Sequence, residues 1–317
     1  MLIDISYRKN ITLSKTADPE VSGQKLRLRS GIVYATLAYL IYGAMPFYMK
    51  QLQAVPPSQI MAHRVLWSVF LLAIIVSVLG RWTSLRRTID MRLVGLFAAT
   101  AALIGVNWLV YIWAVLNDRI LETSLGFFIT PLITVVLGVV ALGERLTRLQ
   151  TFAVGLAAVG VVALAVGKGP NSLWIAMVLA FTFSTAGLIR KVAPLDPLCG
   201  LLIETSLMAP LAMAWLFLSS QNGIPVFGGD TSTNVLLIFT GFVTAVPLLL
   251  FSVAAKQMPY SLAGQFQYIG PSLQLLQAVL LFHEPFGLLH LFTFGSIWSG
   301  LIFFAVDAVR EQRASRF

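Results

Sequence analysis

Long apolar runs separated by short basic loops set the pattern of this chain. Residues 31–49, 60–79, 93–116, 120–142 and 150–167 carry at most one formal charge each. Each has the roughly 17–25 residues that a helix needs to cross a bilayer. The runs 173–189, 201–218, 235–255, 260–282 and 288–306 repeat this in the second half, with 173–189 and 201–218 short and carrying polar residues. The pattern predicts an all-α integral membrane protein of ten transmembrane helices. It divides the chain into a polar tail at 1–30, helices 1–5 within 31–167, helices 6–10 within 171–307, and a C-terminal tail at 308–317. The first tail has no apolar stretch long enough for a signal peptide.

Composition narrows the class. At 58% hydrophobic and 11% charged residues, the chain is too apolar for a soluble domain, where charged residues are about 25%. A lone cysteine, Cys199, excludes an intramolecular disulfide and a site built from several thiolates. No cofactor and no metal are expected. The net charge of +9 reflects topology, because 18 of the 22 Lys and Arg residues fall in alternate loops and the two tails, against three in the opposite loops. Basic loops stay cytoplasmic, so both termini are expected inside and no nucleic-acid partner is implied.

A shift of 140 residues lays the chain on itself. Pro131 falls on Pro271, Glu144 on Glu284, Pro57 on Pro197 and Gly160 on Gly300, and 10 of 46 positions between 121 and 166 are identical to their partners. Five helices per copy is an odd number, so the second copy enters from the opposite side. Two inverted five-helix repeats enclosing a site near the bilayer midplane are a transporter plan; a duplicated bundle serving stability alone is the plainer alternative.

The ten-helix duplicated plan carries "PLITVVLGVVALGER" at 131–145 and "PSLQLLQAVLLFHEP" at 271–285. Together with "HRVLWS" at 63–68, "NWLVYIWAV" at 107–115, "SLGFFITPL" at 124–132 and "QYIGPSLQ" at 267–274, it resembles the EamA branch of the drug/metabolite transporter superfamily. The resemblance covers about residues 30–310 and implies a multi-pass permease of the bacterial inner (plasma) membrane.

Polar groups inside hydrocarbon need a partner, a cavity or a function. At 100° per residue, Gln267, Tyr268, Pro271, Gln274 and Gln277 share one half of helix 9, with Gln265 facing away. Gln267 and Gln274 read as cavity lining, and Gln277 equally as a link between helices. Helix 4 presents Phe127, Phe128, Pro131 and Thr134 on the matching face. Each proline frees a carbonyl for a hinge or substrate contact, or is a packing kink. Asn107, Trp108 and Tyr111 on helix 3 and Tyr42 on helix 1 complete the candidate substrate-binding set; Trp108 reads equally as lipid-facing bulk. Gate or charge candidates are His63, Arg64, Glu122 and Glu204. Arg64 and Glu204 superpose under the repeat but enter from opposite faces, so Glu122 suits Arg64 as a partner, and Arg190 or Lys191 suits Glu204. A structural pair or interfacial snorkelling is the alternative for both; the functional reading makes Arg64 an outer gate or an anion anchor. Glu144 and Glu284 oppose the dipole at their helix ends and read as boundary elements, with Arg145 and Arg148 near Glu144.

The expected function is a secondary transporter or facilitator, exporting small amphipathic organic solutes such as amino acids, metabolites or drugs by alternating access. No G-x-x-x-x-G-K-[ST] motif occurs, which excludes P-loop ATP hydrolysis. A membrane-embedded enzyme or a non-transporting scaffold is the alternative, but His63, His283 and His290 have no metal-ligand spacing. Small residues such as Ala153, Ala157, Gly295 and Gly300 suit close packing or a homodimer face. The topology has a direct test. With Cys199→Ser as background, Arg8→Cys or Arg313→Cys should resist an impermeant maleimide in intact spheroplasts, whereas Lys168→Cys should react. The reverse labelling would reverse the orientation.

Overall fold

The computed structural model describes residues 19–116, 120–168, 173–223 and 230–280, with isolated positions at 227 and between 287 and 307. Its elements are α1 (Pro19–Lys50), α2 (Pro57–Val78), α3 (Trp82–Thr88), α4 (Met91–Leu116), α5 (Ile120–Leu142), α6 (Arg148–Lys168), α7 (Leu173–Val192), α8 (Pro197–Gln221), α9 (Thr231–Gln257), α10 (Tyr260–Phe266) and α11 (Ile269–Leu280). Seven described helices are long and apolar enough to cross a membrane, including α7 and α8, whose apolar runs are short in sequence. Parts of the tenth run lie outside the described residues, as do His283, Glu284, His290 and residues 1–18 and 308–317.

Three helix boundaries differ from the expectation. Helix α1 begins at Pro19, inside the polar tail. The loop after α2 folds into the short helix α3, which the search for long apolar runs passes over. The single helix expected over 260–282 is split, because Gln267 and Tyr268 form a turn between α10 and α11. Pro271 explains the split: it has no N–H to offer the carbonyl of Gln267, four residues earlier, and its ring crowds that carbonyl. The N–H groups of Gln267 and Tyr268 instead reach back to the carbonyls of Gly264 and Gln265, at 3.1 and 3.3 Å. Pro131, the superposed proline, leaves α5 continuous.

The principal packing joins helices before residue 170 to helices after it. Helix α1 lies against α9 and α11, α2 against α8 and α9, α4 against α7 and α8, and α5 against α7 and α10. Some crossings are close enough to demand glycine. A Cβ added at Gly241 of α9 would stand 2.4 Å from the backbone carbonyl carbon of Trp67 on α2.

Helix ends are closed by side chains. Asp196 accepts from the Leu198 and Cys199 amides at the start of α8 and pairs with Arg81 at 2.7 Å. Asp230 accepts from the Thr233 amide at 2.7 Å, and the two bonds from Thr233 hold its carboxyl below the usual range. At the other ends two lysines exchange places. Lys191 of α7 donates to the carbonyls of Ala255 and Met258 at the end of α9, at 2.6 and 2.8 Å. Lys256 of α9 donates to Ala193, at 2.7 Å, and to Leu195 at the end of α7. Both satisfy orphan carbonyls and complement the helix dipole.

Gly241→Ala should force α2 and α9 apart and cost about 1–3 kcal/mol, read as a lower Tm of the purified protein in detergent. An unchanged Tm would show that the crossing has room for a methyl group.

Candidate functional site

Glu204 takes the partner that depth suggests. Its carboxylate accepts from Arg190 Nε at 2.9 Å and Arg190 Nη2 at 2.6 Å, a bidentate pair between α7 and α8 with both side chains buried. Arg190 Nη1 is buried without a hydrogen-bond partner. Lys191, the other candidate, is occupied at the end of α9.

Arg64 is held differently. Its Nε donates to Thr244 Oγ1 on α9 at 2.9 Å, its Nη1 stands 3.7 Å from Met61 Sδ, and its guanidinium carbon lies 5.3 Å from the Trp108 ring centre on α4. Tyr42, Tyr48 and Tyr111 are its electrostatic neighbours. Among the described residues no carboxylate forms an ion pair with it; the Glu122 side chain lies outside the described residues. Trp108 thus lies against a cation. His63 is buried, accepts at Nδ1 from Trp67 Nε1 at 3.2 Å, and packs its ring 5.0 Å from that of Phe227.

Arg64 and Glu204 lie equally far into their helices. Arg64 is seven residues from the start of α2 at Pro57, and Glu204 is seven from the start of α8 at Pro197. Each is therefore about 10 Å along its helix from the first residue. The apolar run begins later than α8 does, which is why Glu204 reads as shallow in sequence. Tyr42 has Arg190, Arg64 and Glu204 as electrostatic neighbours.

The amides meet backbone and hydroxyl partners. Asn107 Nδ2 donates from α4 to the Leu179 carbonyl at 2.8 Å and to Thr182 Oγ1 at 2.9 Å, both on α7. Gln267 is buried, its Nε2 3.2 Å from Thr134 Oγ1 on α5. Thr134 in turn bonds Ser184 of α7 at 3.0 Å, so a hydroxyl web ties α5, α7 and the break after α10. Gln274 Nε2 donates to the Tyr42 carbonyl at 3.2 Å, and Gln277 Nε2 to that of Gly43 at 2.5 Å. The Tyr42 carbonyl is available because Pro46, four residues on, lacks an N–H. Phe128 and Tyr268 are buried with Leu125 and Ile297, whereas Tyr111 and Phe127 leave 37% and 40% of their surfaces open, ring centres 6.2 Å apart. Pro131 is buried and Pro271 partly so.

Sequence reasoning placed Glu144 at a boundary but missed its partner. Its oxygens accept from the amides of Tyr260 at 2.5 Å and Ser261 at 2.8 Å, capping α10 from the end of α5. Gly143, at φ +67°, turns the chain to allow this. The helix N-terminus, and not Arg145 or Arg148, supplies the positive end that the carboxylate needs. Tyr260 was missed too: it is fully buried and donates to the Ser184 carbonyl at 2.6 Å. The superposition of Glu144 on Glu284 was the available signal for the first; none marked the second.

Comparison with known proteins fits this helical, charge-poor interior. Residues 29–166 match the EamA-like transporter family. Protein RarD of Escherichia coli K12 is 42% identical over 90% of this chain and 97% of its own length. The chain belongs to the RarD group of EamA-like transporters. Relatives of this permease include an uncharacterized transporter, YojE, of Bacillus subtilis, 37% identical over 92% of this chain and 99% of that protein. Another is the chloramphenicol-sensitive protein RarD of Pseudomonas aeruginosa, 31% identical over 92% of this chain and 97% of that protein. A crystal structure sharing 17% identity superposes with a TM-score of 0.69, covering 89% of this chain and 98% of that one, a likeness of fold. The permease is accordingly a multi-pass transporter of the bacterial inner membrane.

Glu204→Gln should leave Arg190 charged and half-paired, costing this RarD-type permease about 3–5 kcal/mol. A combined Arg190→Met, Glu204→Leu change should recover most of the Tm. Equal Tm for the single variant and the native protein would place the pair in a hydrated environment.

Proposed function

We propose that this permease is a secondary transporter or facilitator that exports small amphipathic organic solutes by alternating access between two inverted five-helix halves, with both termini cytoplasmic. The observation that carries the reading is the convergence on Arg64 of side chains from four helices: Tyr42 and Tyr48 of α1, Trp108 and Tyr111 of α4, Thr244 of α9, and Arg64 itself from α2. Charged and aromatic groups meeting about 10 Å inside the helix ends suit a solute path better than a stability core. The open faces of Tyr111 and Phe127 would contact the apolar part of a solute, and Asn107, Phe128, Pro131, Gln267, Tyr268, Pro271 and Gln274 would set the shape of its wall.

The packing supports the duplication. Helix α1 meets α9 as its counterpart α7 meets α4, and α2 meets α8, its own counterpart. The breaks and freed carbonyls cluster at α11 and α1, where the halves differ, so these elements are the proposed moving part. The name of the Pseudomonas relative makes chloramphenicol one reasonable solute to try.

The test is reconstitution of the purified protein in liposomes, with uptake of labelled amino acids, aromatic drugs and chloramphenicol compared with empty vesicles. Saturable, protein-dependent flux of at least one of them is expected, and flux of none would remove the reading. Tyr111→Leu and Phe127→Leu should lower that flux severalfold at unchanged Tm, while Asn107→Leu should also cost about 1 kcal/mol of stability through the lost α4–α7 bridge.

A further inference from the structure

The two arginines near the middle of this protein are not equivalent. Arg190 has its carboxylate, held by two bonds. Arg64 touches neutral groups among the described residues, a hydroxyl, a thioether and an indole face, with three tyrosines as electrostatic neighbours. A guanidinium has five N–H donors, and among the described residues Nε alone donates to an oxygen. The Nη edge is directed toward no acceptor stronger than sulfur. A permanently charged group at this depth is costly to keep, and a neutral amide would satisfy Thr244 as well.

We propose that Arg64 is the receptor for the carboxylate of an aromatic or otherwise apolar monocarboxylate, carried with net charge −1. This rests on the solute-transport reading and names its substrate class. The guanidinium edge matches a planar carboxylate with two parallel bonds, and Tyr111 and Phe127 offer open ring surface for the apolar body. A zwitterion fits less well, because both oxygens of Glu204 are taken by Arg190, leaving no free carboxylate for an ammonium among the described residues near the site. A dianionic phosphate would bring one more negative charge than Arg64 can neutralise. Movement of a monoanion is electrogenic. An interior-negative potential then drives it outward, worth about a 50-fold concentration ratio per 100 mV, without a proton-carrying group.

The test uses the full chain in liposomes at neutral pH, with indole-3-acetate, its neutral amide indole-3-acetamide, and tryptophan as probes, and potentials imposed with potassium and valinomycin. Native protein should carry indole-3-acetate at least about tenfold faster than the amide, a difference of about 1.4 kcal/mol, and toward the positive side. Arg64→Gln should abolish the preference for the anion, and Arg64→Lys should restore part of it. In detergent, indole-3-acetate should raise the Tm of the native protein and leave that of Arg64→Gln unchanged, a readout that also checks that the variant is folded. Equal transport of acid and amide, or flux indifferent to potential, would overturn the inference while leaving transport intact. A preference for the anion that arises only in Glu122→Gln would also overturn it, by showing that Glu122 occupies Arg64 in the native protein. A Tm shift by the acid without flux of any solute would uphold the anion site and remove the transport reading.

Discussion

Hydrocarbon offers no hydrogen bonds, so every peptide group in a membrane must find its partner within the protein. An orphaned group costs several kcal/mol, and this chain creates orphans at each proline and each helix end. The structure answers them across the two halves of the chain. Gln274 of α11 takes the Tyr42 carbonyl that Pro46 releases in α1. Glu144 at the end of α5 takes two amides at the start of α10. The halves are bonded through the places where their own helices are imperfect, and the aromatic and charged interior is assembled between those bonds.

Position in sequence made some of this legible. Apolar length identifies the helices, because a span of that length has few alternatives. The Arg190–Glu204 pair follows from depth, since a buried carboxylate accepts a cation only at its own level. The break before Pro271 was not read, since one helix is expected over 260–282, although its cause lies in the Gln267 carbonyl that the proline cannot satisfy. Yet Pro131, the same residue at the superposed position, leaves α5 whole. There Thr130 and Thr134 donate back to α5 carbonyls and Ser184 adds a bond from α7, a tertiary setting that periodicity does not encode. The partner of Glu144 was missed for a related reason. Its partners are backbone amides on a segment more than a hundred residues away, and they have no side-chain identity for a sequence to display.

Internal symmetry is informative where it fails. Arg64 and Glu204 occupy the same position of the two copies, seven residues into their helices. One is neutralised by its neighbour on the next helix; the other faces hydroxyls and rings. Gln267 replaces Phe127 and Pro247 replaces Asn107, so the polar amides of one half stand opposite aromatic or imino-acid positions of the other. Identical copies would build the same wall twice. The departures put different chemistry at equivalent positions of the two copies.

The lysine exchange at the ends of α7 and α9 has a mechanical consequence. Each ammonium is rooted on one helix and seated on the carbonyls of the other. Tilting or sliding either helix would pull both cations off their seats together, so the pair acts as a double latch, and a strain applied at one end is passed to both. The ends of α7 and α9 are therefore tied to each other twice, and parting them at this end would break both ties at once.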